Sequence, residues 1–217
     1  MMLTEWLTNI QFNQELFTEV IEYIGTFAFA ISGIRLAAGK DFDLFGAYVV
    51  GLVTAIGGGT IRDLCLDLTP FWMLNASYLI WTATALLFVI LFRKHLIRLN
   101  NTFFIFDTIG LALFTVVGIE KTLDCNYAFW VAIIMGTITG AAGGIIRDIF
   151  INQIPLIFRK EIYAIACIIG GIIYYISSKF IDDVTLVQII SALSVILTRV
   201  IAVKYKIGLP HIKGEPN

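Results

Sequence analysis

The feature that most limits how this chain can fold is an internal repeat: a constant shift of 85 residues superposes three consecutive apolar segments on the next three without a gap. Gly25 falls on Gly110 and Gly33 on Gly118. Gly51, Thr54, Gly58, Gly59, Arg62, Asp63, Pro70 and Tyr78 fall on Gly136, Thr139, Gly143, Gly144, Arg147, Asp148, Pro155 and Tyr163. Between residues 22 and 86 there are 16 identities in 65 pairs, where composition alone gives roughly five. The matched types are glycine, arginine, aspartate and proline, which chance pairing of apolar residues does not select. The acids agree as well: Glu22 falls on Asp107, and each precedes an uncharged stretch, Tyr23–Ile34 and Thr108–Ile119.

The repeated segments are too apolar for a water-soluble core. Of 217 residues 59% are hydrophobic and 14% charged, and the mean hydropathy is +0.88, so the bilayer is the expected solvent. Seven spans are predicted, over Ile21–Ala38, Leu44–Asp67, Asn75–Phe92, Thr102–Ile119, Tyr127–Phe150, Ile162–Ser178 and Thr185–Val203. Residues 1–20 carry Glu5, Glu15 and Glu19 and no basic residue, the wrong polarity for a signal peptide; they predict a short interfacial or extramembrane helix. The expected organisation is therefore 1–20, a first three-helix repeat over 21–98, a second over 99–180, and a seventh helix with a tail over 181–217. The fold class is an all-α membrane protein.

Three spans per repeat is an odd number, so the second copy enters the membrane from the opposite side and the repeats are inverted. Such halves are related by a pseudo-two-fold axis in the membrane plane, with substrate or ion sites near the midplane. Lysine and arginine set the orientation, because cytoplasmic loops retain positive charge. With the N-terminus outside, Arg35, Lys40, Arg93, Lys94, Arg98, Arg147, Arg159, Lys160, Arg199, Lys204, Lys206 and Lys213 fall inside and Arg62, Lys121 and Lys179 outside, twelve against three. This predicts a multi-pass inner-membrane protein, N-terminus out and C-terminus cytoplasmic.

The motif Thr54-Ala55-Ile56-Gly57-Gly58-Gly59-Thr60-Ile61-Arg62-Asp63 lies mid-span. Each glycine disfavours helix by roughly 1 kcal/mol relative to alanine, so the run predicts a broken helix whose freed carbonyls face protein or water. Carbonyls at the end of a half-helix carry partial negative charge and could replace water around a cation. Thr139-Gly140-Ala141-Ala142-Gly143-Gly144-Ile145-Ile146-Arg147-Asp148 would present the same feature from the other side. The candidate ion site is thus Gly57, Gly58, Gly59, Gly143 and Gly144, with the hydroxyls of Thr54, Thr60 and Thr139. Arg62, Asp63, Arg147, Asp148 and Asp107 are candidates for shaping the potential and supporting the kinks, since ionisable groups at membrane depth face a cavity or a partner.

Two plainer alternatives stand beside this. Small residues also permit close helix contact, and Gly136-x-x-x-Gly140 and Gly140-x-x-x-Gly144 fit that pattern; the Arg-Asp pairs could simply anchor helix ends. Catalysis has no support. His95 and His211 lie in basic segments without an HExxH, GxSxG or phosphate-loop pattern, and Cys65, Cys125 and Cys167 lack metal-ligand spacing. No cofactor or metal centre is expected. A formal net charge of −1 with scattered basic residues gives no nucleic-acid footprint.

Gly25-Thr26-Phe27-Ala28-Phe29-Ala30-Ile31-Ser32-Gly33, Gly57-Gly58-Gly59-Thr60-Ile61-Arg62-Asp63, Phe106-Asp107-Thr108-Ile109-Gly110-Leu111 and Gly143-Gly144-Ile145-Ile146-Arg147-Asp148 together closely resemble the prokaryotic branch of the trimeric intracellular cation (TRIC) channel family, over about residues 21 to 205. The resemblance implies a seven-helix protomer with inverted repeats, a homotrimer among membrane lipids, and a potassium-permeable pore in each protomer bounded by Gly57–Gly59 and Gly143–Gly144. Ala142 departs from the pattern where the first repeat has Gly57, and no long basic tail follows the last helix. Related bacterial sequences also go by the name of glycine transporters, so a secondary carrier of a small zwitterion such as glycine is the second expectation. The third is a structural or lipid-organising protein whose glycines serve oligomer packing.

Overall fold

The computed structural model describes residues 2–98 and 101–210, without the side chains of 2–13, 15, 94, 95, 97 and 98. Glu5, Glu15, Lys94, His95, Arg98, His211 and Lys213, which entered the arguments above, lie outside the described side chains. Among the described residues eight α-helices follow one another: α1 Met2–Ala37, α2 Leu44–Cys65, α3 Phe71–Leu74, α4 Ser77–Arg98, α5 Thr102–Asp124, α6 Phe129–Phe150, α7 Ala164–Ser177 and α8 Val184–Lys204, with short 3₁₀ turns at Ala38–Lys40 and Leu156–Phe158. Among the described residues the only β pairing is an isolated bridge between Glu161 and Gly208.

Among the described residues five helical segments are long and apolar enough to cross a membrane: Leu16–Lys40, Leu44–Cys65, Thr102–Asp124, Phe129–Phe150 and Val184–Lys204. The other two stretches expected to span, Asn75–Phe92 and Ile162–Ser178, hold the shorter apolar helices Ser77–Arg93 and Ala164–Ser177. Residues 2–20 are not the helix separate from the first span that the sequence predicts. From Met2 they run into the first span as one continuous α1, because no proline or glycine interrupts the chain before Gly25.

Polarity is arranged for a hydrocarbon solvent. Leu186, Ile189, Leu193, Leu197 and Val200 of α8, and Ile80, Leu87 and Leu91 of α4, face outward, while Arg62, Arg147 and Arg199 are among the largest fully buried side chains. A soluble protein places these types the other way round.

The repeat is present in the backbone. Asp41 and Asn126, and Asp67 and Asn152, occupy the left-handed region at matched positions (φ 58°, 61°, 57° and 55°), where short polar side chains are tolerated. After α2, Leu68 N–H donates to the Asp63 carbonyl (2.8 Å); after α6, Gln153 N–H donates to the Asp148 carbonyl (2.8 Å). The α1–α2 and α5–α6 pairs close alike: a Cβ on Gly33 would strike Thr54 Oγ1 and Gly51, and one on Gly118 would strike Thr139 Oγ1 and Gly136.

The two halves also touch reciprocally. A Cβ on Gly25 would press on the Phe114 ring and one on Gly110 on the Phe29 ring, and these phenyl rings stack with centroids 5.4 Å apart. Since 110 and 114 are the mates of 25 and 29, each half offers the other the same patch, the signature of an isologous contact. The second such contact, between α2 and α6, forms the candidate site.

Candidate site at the α2–α6 crossing

Three glycines in a row predicted a break in α2, and the structure corrects this. Both α2 and α6 run as uninterrupted α-helix through Gly57–Gly59 and Gly143–Gly144, and no glycine among the described residues has positive φ. What the missing side chains provide is approach. A Cβ on Gly58 would collide with the Thr139 carbonyl oxygen, and one on Gly143 with the Thr54 carbonyl oxygen. Position 58 meets the mate of 54, and the mate of 58 meets 54. The helix propensity lost at the glycines is offset by backbone-to-backbone packing where α2 and α6 meet. Gly57 adds to the same face, where its Cβ would meet Ile146 Cδ1 at 2.9 Å.

The remaining candidates have defined places. Thr54 Oγ1 donates to the Val50 carbonyl (2.6 Å) and Thr139 Oγ1 to the Met135 carbonyl (2.6 Å); both hydroxyls pack against glycines of the neighbouring helix rather than facing open space. Thr60 Oγ1 donates to the Ile56 carbonyl (2.7 Å) and accepts from Trp72 Nε1 (3.1 Å). Gly59 lies under the Phe71 ring and Gly144 under the Tyr163 hydroxyl. The structure therefore joins Gly57, Gly58, Gly143 and the Thr54 and Thr139 carbonyls at one crossing, and sets Gly59, Gly144 and Thr60 against flanking aromatics.

Each Arg-Asp pair is a staple at the helix end. Arg62 Nε and Nη2 both donate to Asp63 Oδ1 (2.8 and 2.6 Å), and Asp63 Oδ2 accepts the Phe71 N–H (2.9 Å). Arg147 Nε donates to Asp148 Oδ1 (2.9 Å), and Asp148 Oδ2 accepts the Leu156 N–H (3.0 Å); Leu156 is the mate of Phe71. Each aspartate thus neutralises a buried guanidinium and satisfies an amide of the segment that follows, as a buried charge requires.

The second staple is extended further by ion pairs. Arg147 Nη1 donates to Asp107 Oδ1 (2.5 Å) and to Ser32 Oγ (2.9 Å), and its guanidinium lies 4.7 Å from the Phe103 centroid. Arg199 Nη2 reaches Asp107 Oδ2 and Nη1 reaches Glu161 Oε2, each at 3.4 Å; Nη1 also donates to the Ile162 carbonyl (3.2 Å). Asp107 is thus an interior counter-ion shared by two arginines. In the first half Glu22 accepts from the Tyr78 hydroxyl and pairs with Lys121 (2.6 Å).

Ser32, Tyr78, Lys121, Tyr163 and Arg199 were not among the candidates. Tyr78 and Tyr163 could have been found, since they match at the repeat offset beside the matched acids Glu22 and Asp107. Ser32 left a weaker trace, as a hydroxyl whose mate is Val117. Lys121 and Arg199 left none: both entered only the count of basic residues that sets the orientation.

Fold and site together define a multi-pass helical membrane protein, built from two matched halves that meet on glycine faces. A family model described as "Glycine transporter" matches the chain twice, over residues 19–94 and 104–179, copies again 85 residues apart. The UPF0126 inner membrane protein YadS of Escherichia coli is 39% identical, covering 91% of this chain and 97% of that one. A chain from work on the structural basis for conductance through TRIC cation channels superposes with a TM-score of 0.82 at 34% identity, over 92% of this chain and 98% of that one. The TRIC channel orthologue of Rhodobacter sphaeroides gives 0.82 at 30%, over 88% and 98%. The chain belongs to the prokaryotic TRIC channel family, a family of channels and transporters rather than enzymes.

Proposed function

We propose that this protein is a passive, potassium-permeable cation channel of the bacterial inner membrane. Each protomer of a homotrimer carries its own path, at the crossing of α2 and α6. The observation that carries the reading is the reciprocal pair Gly58 against the Thr139 carbonyl and Gly143 against the Thr54 carbonyl. The Thr54 and Thr139 carbonyls accept the helices' own hydrogen bonds, but with glycine opposite each keeps a second lone pair toward the facing helix, which can supplement a cation's hydration once the helices part. With the helices in contact the crossing is shut, and conduction requires α2 and α6 to part. The superposition on chains from TRIC cation channel structures supports this function and the trimeric assembly.

The same reading holds seven crossings, formed by α1, α2 and α4 to α8, with the halves inverted in the bilayer. The reciprocal contacts support inversion, because they are what a two-fold between the halves produces. The N-out orientation keeps its support when the buried arginines are left out: without Arg62, Arg147 and Arg199, twelve less two leaves ten basic residues inside and three less one leaves two outside. Arg62–Asp63 and Arg147–Asp148, with Asp107, hold the ends of the crossing helices and set the local potential. The glycine and threonine positions supply the contact surface from which the path opens.

Purified protein in planar bilayers is expected to show unitary potassium steps. Gly58→Leu with Gly143→Leu is expected to abolish them. The family model's description favours a second reading, a carrier of glycine; saturable uptake of labelled glycine into proteoliposomes, without unitary steps, would establish that one instead.

A further inference from the structure

Lys121, near the end of α5, places its Nζ 2.6 Å from Glu22 Oε1 and 5.3 Å from the centroid of the Phe71 ring. The other Glu22 oxygen accepts the Tyr78 hydroxyl, and Phe71 and Tyr78 meet edge to face at 4.4 Å. A carboxylate beside an aromatic face is an environment that holds a monovalent cation, and here a side-chain ammonium occupies it.

The matched site shows what is particular about this one. Asp107 receives Arg147 of its own repeat and Arg199 of α8, all with side chains no more than 1% exposed. Arg62, the mate of Arg147, has Asp63 as its ion-pair partner among the described residues, so Glu22 gets no arginine. Its counter-ion comes from the other half, at a position whose mate is Leu36, on a flexible side chain that stays 27% exposed. That side chain borders a cavity of about 400 Å³ lined also by Glu19, Glu22, Glu120, Asp124 and Gln188, an acidic bay that raises the local cation concentration.

We infer that Glu22, Phe71 and Tyr78 form a monovalent-cation site at this end of the bundle, and that Lys121 is its tethered occupant, competing with potassium entering from the bay. The functional consequence rests on the channel reading above; the binding site itself does not.

The test compares wild type, Lys121→Met, Lys121→Arg and Lys121→Met/Glu22→Gln, read first by melting in KCl against N-methylglucamine chloride. Lys121→Met is expected to gain a potassium-specific rise in Tm of about 2 °C or more, absent from the other three. Lys121→Gln gives the same readout where the methionine variant does not fold. In bilayers Lys121→Met is expected to raise unitary potassium conductance roughly two- to fivefold, with the gain lost in the double variant. No potassium-specific shift in either neutral variant, or a shift that survives Glu22→Gln, would overturn the site. A potassium-specific shift without current in any variant supports the site and counts against the channel.

Discussion

At the level of single residues the account turns on which buried charges have substitutes. Arg62 has Asp63 as its ion-pair partner among the described residues, whereas Arg147 has Asp148 and Asp107. Removing the partner of a buried charge costs about 3–5 kcal/mol when nothing replaces it. Asp63→Asn is therefore expected to lower stability by about that much and Asp148→Asn by clearly less, in denaturation of the detergent-solubilised protein; the reverse order would contradict the assignment of partners. The glycines yield a second ranking. Gly58→Ala and Gly143→Ala place a methyl on a facing carbonyl and are each expected to cost about 1–3 kcal/mol. Gly39→Ala, where an added Cβ meets nothing within 4 Å, is expected to leave the melting temperature unchanged or slightly raised.

Among the elements, α2 and α6 show how local and tertiary terms compete. Propensity predicted a break at the glycines, and the helices run through because the second helix meets those very positions. A single sequence shows the cost of glycine but not the partner helix that offsets it, which is why the motif was legible and its geometry was not. The 85-residue repeat itself was legible, since it depends on sequence offset alone, whereas its matched left-handed turns at Asp41 and Asn126 appear only in the backbone. α8 is the opposite case. It has no repeat mate, and Arg199 entered only the charge count, although it pairs with Asp107 and lies over the Phe104 and Tyr163 rings at 5.1 and 4.9 Å. Arg199→Met removes that tie and is expected to raise amide exchange across 184–204 selectively, with 44–65 unchanged. Uniform exchange in both helices would assign Arg199 a general stabilising role instead.

For the whole molecule, the proposed topology of inverted halves with the N-terminus outside has a direct chemical test. Cys65 closes α2 and is exposed, so with the N-terminus outside it lies on the external face. A membrane-impermeant maleimide is expected to label Cys65 in intact cells expressing a variant with Cys125 and Cys167 replaced by Ala; labelling only after permeabilisation would reverse the orientation. The central claim is that this bundle passes cations down their gradient. Its most direct test is the reversal potential of wild-type protein in a planar bilayer separating unequal KCl solutions. The account predicts unitary currents reversing close to the potassium equilibrium potential and vanishing in Gly58→Leu/Gly143→Leu. Reversal at the chloride potential, or a silent bilayer with the same preparation taking up glycine saturably, would contradict it.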